Sequence, residues 1–226
     1  NNKNTVFFSQ FPKILEKFED KIIIKKILPK YLDILKLETF TNNALPGIFT
    51  IAEKLGSGID FEMIIWPNIK ELFKMKQMSA ASLFFLITKL EFISKKIPSS
   101  EFSEHMLKII CKALDSNLQK LQKAVFERLD VITKTLESQV FKNHIYERMI
   151  SIVAQTTHAD VKMTILTALK DTYRLLDQNT INDSFLNTLE KVRKGDNKSD
   201  VCLKLVSIYQ EISKIVSIKV SNIRIK

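Results

Sequence analysis

The chain contains few of the residues on which disulfide-bonded folds and loop-built active sites depend. Its 226 residues include two cysteines, four glycines, five prolines and one tryptophan. Cys111 and Cys202 lie far apart in the sequence, so we expect free thiols buried on apolar faces rather than a disulfide. The four glycines form neither a phosphate-binding loop nor a nucleophile elbow. The three histidines share no metal-ligand spacing, and we therefore expect no metal and no cofactor.

Long apolar runs are also missing. Hydrophobic residues make up 45% of the chain, which is enough to bury a core and excludes a disordered chain. The densest apolar stretch, 83–87, is much shorter than the roughly 18–20 residues of a membrane-spanning helix. Because the sequence starts at Asn1 without a signal peptide, we interpret it as a fragment of a longer cytoplasmic protein.

The net charge of +10 comes almost entirely from lysine. Only five of the 35 basic residues are arginine, and the abundance of lysine, asparagine, isoleucine and phenylalanine reflects codon bias as much as function. The charge is therefore weak evidence for a nucleic-acid or membrane partner.

A repeat of about 40 residues runs through the sequence. It is visible in five blocks whose apolar residues have the spacing of a helix that buries one stripe. The blocks are Ile27-Leu28-Pro29, Ile65-Trp66-Pro67, Met106-Leu107-Lys108, Ile145-Tyr146-Glu147 and Phe185-Leu186-Asn187. A second apolar helix follows each block, and neither helix shows the alternation of a strand. The sequence therefore predicts an all-α fold, an α-solenoid of about eleven helices in HEAT-like pairs.

Turn-forming residues separate the predicted pairs, as at Gly56-Ser57-Gly58 and Pro98-Ser99-Ser100. We predict a single solenoid fragment over residues 1–226, with a truncated first pair at 1–20 and a tail at 219–226. The truncated pair is expected to contain one apolar helix, formed by Phe7, Phe8, Phe11, Leu15 and Phe18. The five complete helix pairs are expected at 21–57, 58–98, 99–138, 139–178 and 179–218. Pro29 and Pro67 fall inside first helices, where proline bends the chain.

One polar column recurs on the second helices. Lys95, Lys134, Arg174 and Lys214 are spaced by 39, 40 and 40 residues. Each follows by two residues a position that we expect to be buried, which turns it about 200° toward solvent. These expected buried positions are Ile93, Ile132, Thr172 and Ile212. Stacked pairs bring such positions within roughly 10 Å. The column thus predicts a basic ladder for an acidic peptide, a phosphorylated motif or anionic lipid headgroups. Alternatively, a lysine-rich chain fills any exposed column with lysine, and both interpretations stay open.

Trp66 is the single tryptophan and adjoins Pro67. An exposed tryptophan can anchor a protein partner, but the equivalent positions of the other blocks are all apolar. We therefore expect Trp66 to pack in the core.

Five short motifs occur in a characteristic order between Lys21 and Leu136. They are Lys26-Ile27-Leu28-Pro29-Lys30, Ala44-Leu45-Pro46, Ile51-Ala52-Glu53, Ile65-Trp66-Pro67 and Leu72-Phe73-Lys74-Met75. In their order and spacing they resemble the HEAT-repeat domain of the SCY-like pseudokinases, and they are most similar to the coated-vesicle-associated branch. Residues after about 140 fit this family through the repeat alone.

The resemblance implies a parent protein with a kinase-like domain before the repeats and a flexible tail after them. It implies a non-catalytic scaffold in clathrin-dependent vesicle traffic, peripheral to Golgi, endosomal or clathrin-coated membranes. In this family the kinase-like domain lacks ordinary catalytic motifs, and contacts with clathrin and adaptors are attributed largely to the tail. Neither segment lies within these residues, so no active-site residue carries over and no enzyme activity is expected.

Two other interpretations use the same repeats. An importin-type transport receptor would show acidic, tryptophan and asparagine ladders, which are missing here. A HEAT-type DNA repair glycosylase needs an aspartate and aromatic residues that face DNA. Asp130 and Asp171 are available, but no aromatic cluster accompanies them in the sequence. Protein partners are therefore expected, and a specific nucleic acid is not.

Overall fold

The computed structural model describes residues 10–37, 41–74 and 78–214. Every regular element in these ranges is helical, which confirms the predicted all-α fold. When helical segments that are contiguous, or interrupted only by the turns at 89 and at 127–128, are joined, the described residues form eleven helices, numbered α1 to α11 below. They belong to two compact units, Asn1–Ile110 and Cys111–Lys226. No helix in the described ranges is long and apolar enough to cross a membrane.

Unit 1 contains α1 to α5 and the first part of α6. Helix α1 covers 10–15. Helix α2 is Asp20–Ile22, Ile23–Ile27 and Leu28–Leu35; α3 is Thr41–Leu55 with the 3-10 turn Gly56–Gly58; α4 is Phe61–Ile65 and Trp66–Leu72; α5 is Ala80–Thr88 and Leu90–Ser94; α6 is Ser99–Glu101, Phe102–Met106 and Leu107–Asp115. Helix α2 packs against α3 as a pair, and α3 also packs against α5 of the next pair.

Unit 2 repeats this arrangement with α7 to α11. Helix α7 is Gln119–Phe126 and Leu129–Thr135; α8 is Ser138–Val140, Phe141–Tyr146 and Glu147–Gln155; α9 is Ala159–Thr172 with the 3-10 turn Tyr173–Leu175; α10 is Gln178–Thr180, Ile181–Phe185 and Leu186–Gly195; α11 is Ser199–Ser213. Helix α8 pairs with α9 and α10 with α11, and the first helices α8 and α10 adjoin. The second helix α9 contacts both α7 and α11. First helices thus stack on first helices and second helices on second helices, which is the HEAT-like packing that the period predicts.

The first helices of both units contain a π-helical turn near their start. The turns are Ile23–Ile27, Phe61–Ile65, Phe102–Met106, Phe141–Tyr146 and Ile181–Phe185. Each begins with a buried apolar residue, and a π turn inserts one extra residue into the helix. Pro29 and Pro67 lie two residues after the turn in α2 and α4, but α6, α8 and α10 make the turn without proline. The π turn therefore belongs to the repeat and does not depend on proline. Both prolines lie at the start of the α-helical segment that follows the turn, and the bend predicted there stays a prediction.

Unit 1 packs its second helices through aromatic rings. Phe49 of α3 is fully buried, and its ring centroid lies 5.3 Å from that of Phe85 and 5.6 Å from that of Phe92, both in α5. Phe61 of α4 completes the cluster, 5.9 Å from Phe49 and 5.4 Å from Phe92. These contacts are edge-to-face, the geometry that the ring quadrupoles favour.

The close approach of α2 and α3 depends on a glycine. A Cβ atom at Gly47 of α3 would overlap the ring of Tyr31 in α2. Tyr31 is 4% exposed, and burial raises the pKa of its hydroxyl. Glycine therefore allows a large aromatic side chain to lie directly against the backbone of the partner helix.

Unit 2 fills equivalent positions with a different set of side chains. Phe126 of α7 and Leu166 of α9 occupy the repeat position of Phe49, and both are buried. Thr172, predicted to be buried, is 6% exposed and donates its hydroxyl hydrogen bond to the carbonyl oxygen of Ala168 at 2.7 Å. A buried hydroxyl that is hydrogen-bonded to its own helix avoids the cost of an unsatisfied polar group.

Two details differ from the sequence-based expectations. Both cysteines are free, as predicted, but they are half-buried rather than buried. Phe18, expected to continue the N-terminal apolar helix, lies beyond the end of α1 and is 39% exposed. Lys54 of α3 donates hydrogen bonds to the carbonyl oxygens of Leu15 and Phe18, at 2.6 and 2.9 Å, and so satisfies this helix end. Phe7 and Phe8, assigned to the same helix, lie outside the described residues.

Candidate interaction surface

The four residues of the predicted basic ladder lie at the C-terminal ends of second helices. Lys95 and Lys214 follow the last residues of α5 and α11, Lys134 lies in the last turn of α7, and Arg174 lies in the 3-10 turn that ends α9. All four are exposed. Because the helix dipole stabilises a cation at this end, the position favours lysine and arginine even without a ligand.

Two ladder lysines pair with a carboxylate one turn earlier on their own helix. Lys95 Nζ lies 2.6 Å from Glu91 Oε1, and Lys134 Nζ lies 3.8 Å from Asp130 Oδ2. The two lysine side chains are 69% and 78% exposed. Exposed pairs of this kind contribute little to stability, so a ligand carboxylate or phosphate can replace Glu91 or Asp130.

The structure links Arg174 and Lys214 through Tyr173 and Glu211. Lys214 Nζ lies 3.0 Å from Glu211 Oε1. The Tyr173 hydroxyl accepts a hydrogen bond from Arg174 Nε at 3.3 Å and donates one to the Glu211 carbonyl oxygen at 3.5 Å. The hydrogen bond from Lys214 is the largest of the effects that lower the pKa of Glu211. These contacts join the end of α9 to the end of α11.

The remaining ladder residues are not joined in this way. Within the described ranges, no ion pair or hydrogen bond connects Lys134 to Arg174. Lys95 belongs to unit 1, whereas the other three residues belong to unit 2. The structure thus shows one cluster of two basic residues in unit 2, and the complete four-residue ladder stays a prediction.

A groove that the sequence analysis did not predict lies between α7 and α9, beside Lys134. Its volume is about 560 Å³, and its apolar lining is Phe126, Leu129 and Ala168. The polar lining consists of one lysine, three carboxylates and four threonine hydroxyls, from Lys134, Glu127, Asp130, Asp171, Thr133, Thr164, Thr167 and Thr172. The groove could not be read from the sequence because it forms between residues that lie about one repeat apart.

Asp130 and Asp171, considered above as candidates for a DNA glycosylase, do line this one groove. Phe126 is the single aromatic residue among its lining residues. The three carboxylates outnumber Lys134, the one cation among the lining residues, and therefore repel the phosphates of a nucleic acid. The groove therefore gives no support to a nucleic-acid-binding function.

Trp66 lies in the core, as predicted, and is 1% exposed. Its indole Nε1 donates a hydrogen bond to Glu101 Oε2 at 2.8 Å, and Lys70 Nζ lies 2.9 Å from the same oxygen. The hydrogen bond from Trp66, followed by that from Lys70, lowers the pKa of Glu101. The tryptophan is thus a structural link between α4 and α6 rather than an exposed anchor.

Ion pairs between consecutive helix pairs share a spacing that the sequence analysis missed. The partners lie 31 to 37 residues apart, slightly less than one repeat. They are Lys70–Glu101, Lys89–Glu53, Arg148–Asp115, Lys142–Asp177, Lys162–Asp196 and Lys123–Asp160. A search for opposite charges at this separation would have found them.

These features define the class of protein, an α-helical repeat protein of the HEAT type. No protein-family model matches the chain. The crystal structure of Cex1p matches it with a TM-score of 0.59 and 18% sequence identity, covering 97% of this chain and 39% of that chain. At this level of identity the match supports the fold alone.

The particular relationship is with SCY1-like protein 2. The human protein is 22% identical over 210 residues, and the mouse protein gives the same values. The match covers 93% of this chain, which is therefore a distant homologue of SCY1-like protein 2. This confirms the resemblance found in the sequence. The chain spans 22% of the length of these relatives.

Proposed function

We propose that this chain is a non-catalytic interaction module, the HEAT-repeat part of a SCY-like scaffold in clathrin-dependent vesicle traffic. The homology to SCY1-like protein 2 over 93% of the chain is the observation that carries the proposal. In the parent protein a kinase-like domain would precede the repeats. The protein would lie at the surface of Golgi, endosomal or clathrin-coated membranes.

The ends of the second helices are the proposed contact surface for protein partners. Lys95, Lys134, Arg174 and Lys214 would bind an acidic or phosphorylated segment. The support is their exposure and the weak ion pairs that hold Lys95 and Lys134. Arg174 uses its Nε for Tyr173, and its remaining N–H groups suit a carboxylate or phosphate. That residues 1–226 form one continuous solenoid, with the pair boundaries given above, stays part of the proposal.

The proposal is tested with the purified 226-residue chain and purified clathrin adaptor complexes. We expect saturable binding that weakens as the salt concentration rises from about 50 to about 200 mM, because the contacts are exposed charges. The double variant Lys134→Glu/Arg174→Glu should weaken binding about tenfold, since each lost charge-assisted hydrogen bond is replaced by repulsion.

The matched control is Lys108→Glu/Lys112→Glu, which makes the same charge change at two exposed positions of α6. It should leave adaptor binding unchanged. If both double variants weaken adaptor binding equally, the ladder is not the contact surface, but the proposed scaffold function stands. The absence of any saturable binding to the adaptors or to clathrin would remove the proposed function itself.

A further inference from the structure

A second cavity of unit 2 lies where two consecutive turns between helices face each other. The turn 156–158 joins α8 to α9, and the turn 196–198 joins α10 to α11. The cavity between them has a volume of about 660 Å³, within the range of about 300–1,000 Å³ of sites that hold small organic ligands. None of the four ladder residues lines it.

A buried lysine lies in this cavity, which we call the turn cleft. Lys162 of α9 is 8% exposed, and it occupies the repeat position of Leu45 and Leu83 in the second helices of unit 1. Burying an ammonium group is costly unless it is paired. The partner is Asp196, whose Oδ2 lies 2.8 Å from Lys162 Nζ. An apolar side chain would fill this position at lower cost, so the lysine is a candidate for a role beyond packing.

Asp196 is fully engaged by the protein itself. Its Oδ1 accepts a hydrogen bond from the backbone N–H of Lys198 at 3.1 Å, while Oδ2 accepts one from Lys162. The hydrogen bond from Lys162 is the main reason that the pKa of Asp196 lies below its ordinary value. The carboxylate therefore stays ionised and holds Lys162 in place.

The rim of the turn cleft carries further positive charge. Lys191 of α10 and Lys198 are exposed, and neither forms an ion pair within the described ranges. The lining thus contains three ammonium groups and one carboxylate. Around them are side chains that can donate hydrogen bonds to hydroxyl or phosphate oxygens, those of Gln155, Thr156, Thr157 and Asn197.

We propose that the turn cleft binds a compact phosphorylated polyol of the inositol polyphosphate class. Its phosphates would contact Lys191 and Lys198 at the rim and Lys162 inside, and its ring hydroxyls would contact the threonine and amide side chains. All the cations of the lining are lysines, which act as point charges on phosphates. An arginine guanidinium suits the single phosphate of a peptide, but Arg193 is not a lining residue. Its Nη2 lies 3.0 Å from Glu190 Oε2.

The test is a calorimetric titration of the 226-residue chain with inositol hexakisphosphate. We expect one saturable site, with affinity lowered about tenfold by Lys191→Glu/Lys198→Glu. Both positions are exposed, so the helical content by circular dichroism should not change. The α6 variant Lys108→Glu/Lys112→Glu has the same net charge and should bind as the unchanged chain does. Equal losses in the two double variants, or no saturable binding, would overturn the proposal.

Further arms identify the source of the ligand. Vesicles of phosphatidylcholine that contain a phosphoinositide should bind the chain and be displaced by inositol hexakisphosphate if the source is a lipid headgroup. Binding of the soluble compound without vesicle binding would assign a free polyol. Inorganic phosphate or a phosphoserine peptide that binds as tightly as the polyol would overturn the assignment. Because adaptor binding is measured separately, failure here leaves the proposed scaffold function untouched.

Discussion

In unit 1 the second helices α3 and α5 meet through phenylalanine rings, whereas in unit 2 α7, α9 and α11 meet through smaller apolar side chains, hydroxyls and ion pairs. The ring pairs found among the described residues, from Phe11–Tyr31 to Phe73–His105, all lie in unit 1. In unit 2, Lys170 Nζ of α9 instead donates a hydrogen bond to Ser207 Oγ of α11 at 2.7 Å.

The comparison shows that the same repeat pattern is compatible with tight aromatic packing in unit 1 and with concave surface in unit 2. The aromatic cluster fills the space between second helices of unit 1, and its rim lysines cover the rings, with Lys89 and Lys96 each 5.8 Å from a ring centroid. In unit 2 the groove of about 560 Å³ lies between α7 and α9, and the turn cleft of about 660 Å³ lies between two turns. We therefore expect unit 1 to depend more on packing and unit 2 to offer more concave surface for ligands.

The largest effect should come from truncating the ring at the centre of the comparison. Phe49→Ala removes three edge-to-face contacts and leaves a cavity, and we expect a loss of about 4–5 kcal/mol in the free energy of unfolding. Phe126→Ala, at the same repeat position in unit 2, should cost about 3 kcal/mol, because Phe126 borders the groove. Urea denaturation of the two variants measures the difference. Equal losses would show that the aromatic cluster adds nothing beyond burial.

Smaller losses in the free energy of unfolding are expected at the position shared by Trp66 and Tyr146. Trp66→Phe removes a hydrogen bond to a charged carboxylate and should cost about 2–3 kcal/mol. Tyr146→Phe removes a longer bond, 3.3 Å from its hydroxyl to Ser184 Oγ, and should cost about 1 kcal/mol. Burial raises the pKa of Tyr146 to about 12, so its hydroxyl stays protonated in the assay.

The control for this pair is Glu101→Gln in the Trp66→Phe background. If the indole acts through Glu101, the two changes together should cost less than the sum of the separate losses. Strict additivity would mean that Trp66 stabilises unit 1 through packing alone.

The smallest expected effect is the loss of stability of the fold at low pH. The pKa of Glu101 in unit 1 is lowered by hydrogen bonds from Trp66 and Lys70, and that of Asp177 in unit 2 by Lys142 and Thr180. A lowered pKa in the folded state stabilises the fold above the ordinary values of 4.5 and 3.8. That stabilisation is lost as the pH falls through the lowered value.

Thermal unfolding from about pH 7 to about pH 3 checks this expectation. The difference in Tm between the unchanged chain and Glu101→Gln should shrink as the pH falls, and Asp177→Asn should behave in the same direction at lower pH. A difference that stays constant with pH would contradict the assignment of these carboxylates.

Much of the fold could be predicted because the same apolar stripe recurs in five consecutive repeats. The helical class, the period, the number of helices and the burial of Trp66 and Thr172 follow from which residues lie on one face of a helix. The free cysteines follow from their separation. The π turns were not predicted, because the change from i→i+4 to i→i+5 hydrogen bonding leaves the apolar spacing almost unaltered.

The candidate sites were predicted less completely. The ladder positions and their exposure come from periodicity, but the link from Arg174 through the Tyr173 hydroxyl to Glu211 depends on how successive helices dock. Lys162 is the sharpest case, since a helical wheel places a lysine at a buried position without saying what would neutralise it. Its partner Asp196 lies 34 residues later, in a turn.

By itself the sequence determined which faces are apolar, where helices break and which distant family the chain resembles, because these depend on local spacing and composition. The tertiary structure alone decided which charges meet across consecutive pairs and where concave surface remains. Those outcomes depend on the distance and offset between helices, which are set by side-chain volume at each contact: phenylalanine rings and Gly47 in unit 1, and shorter residues in unit 2.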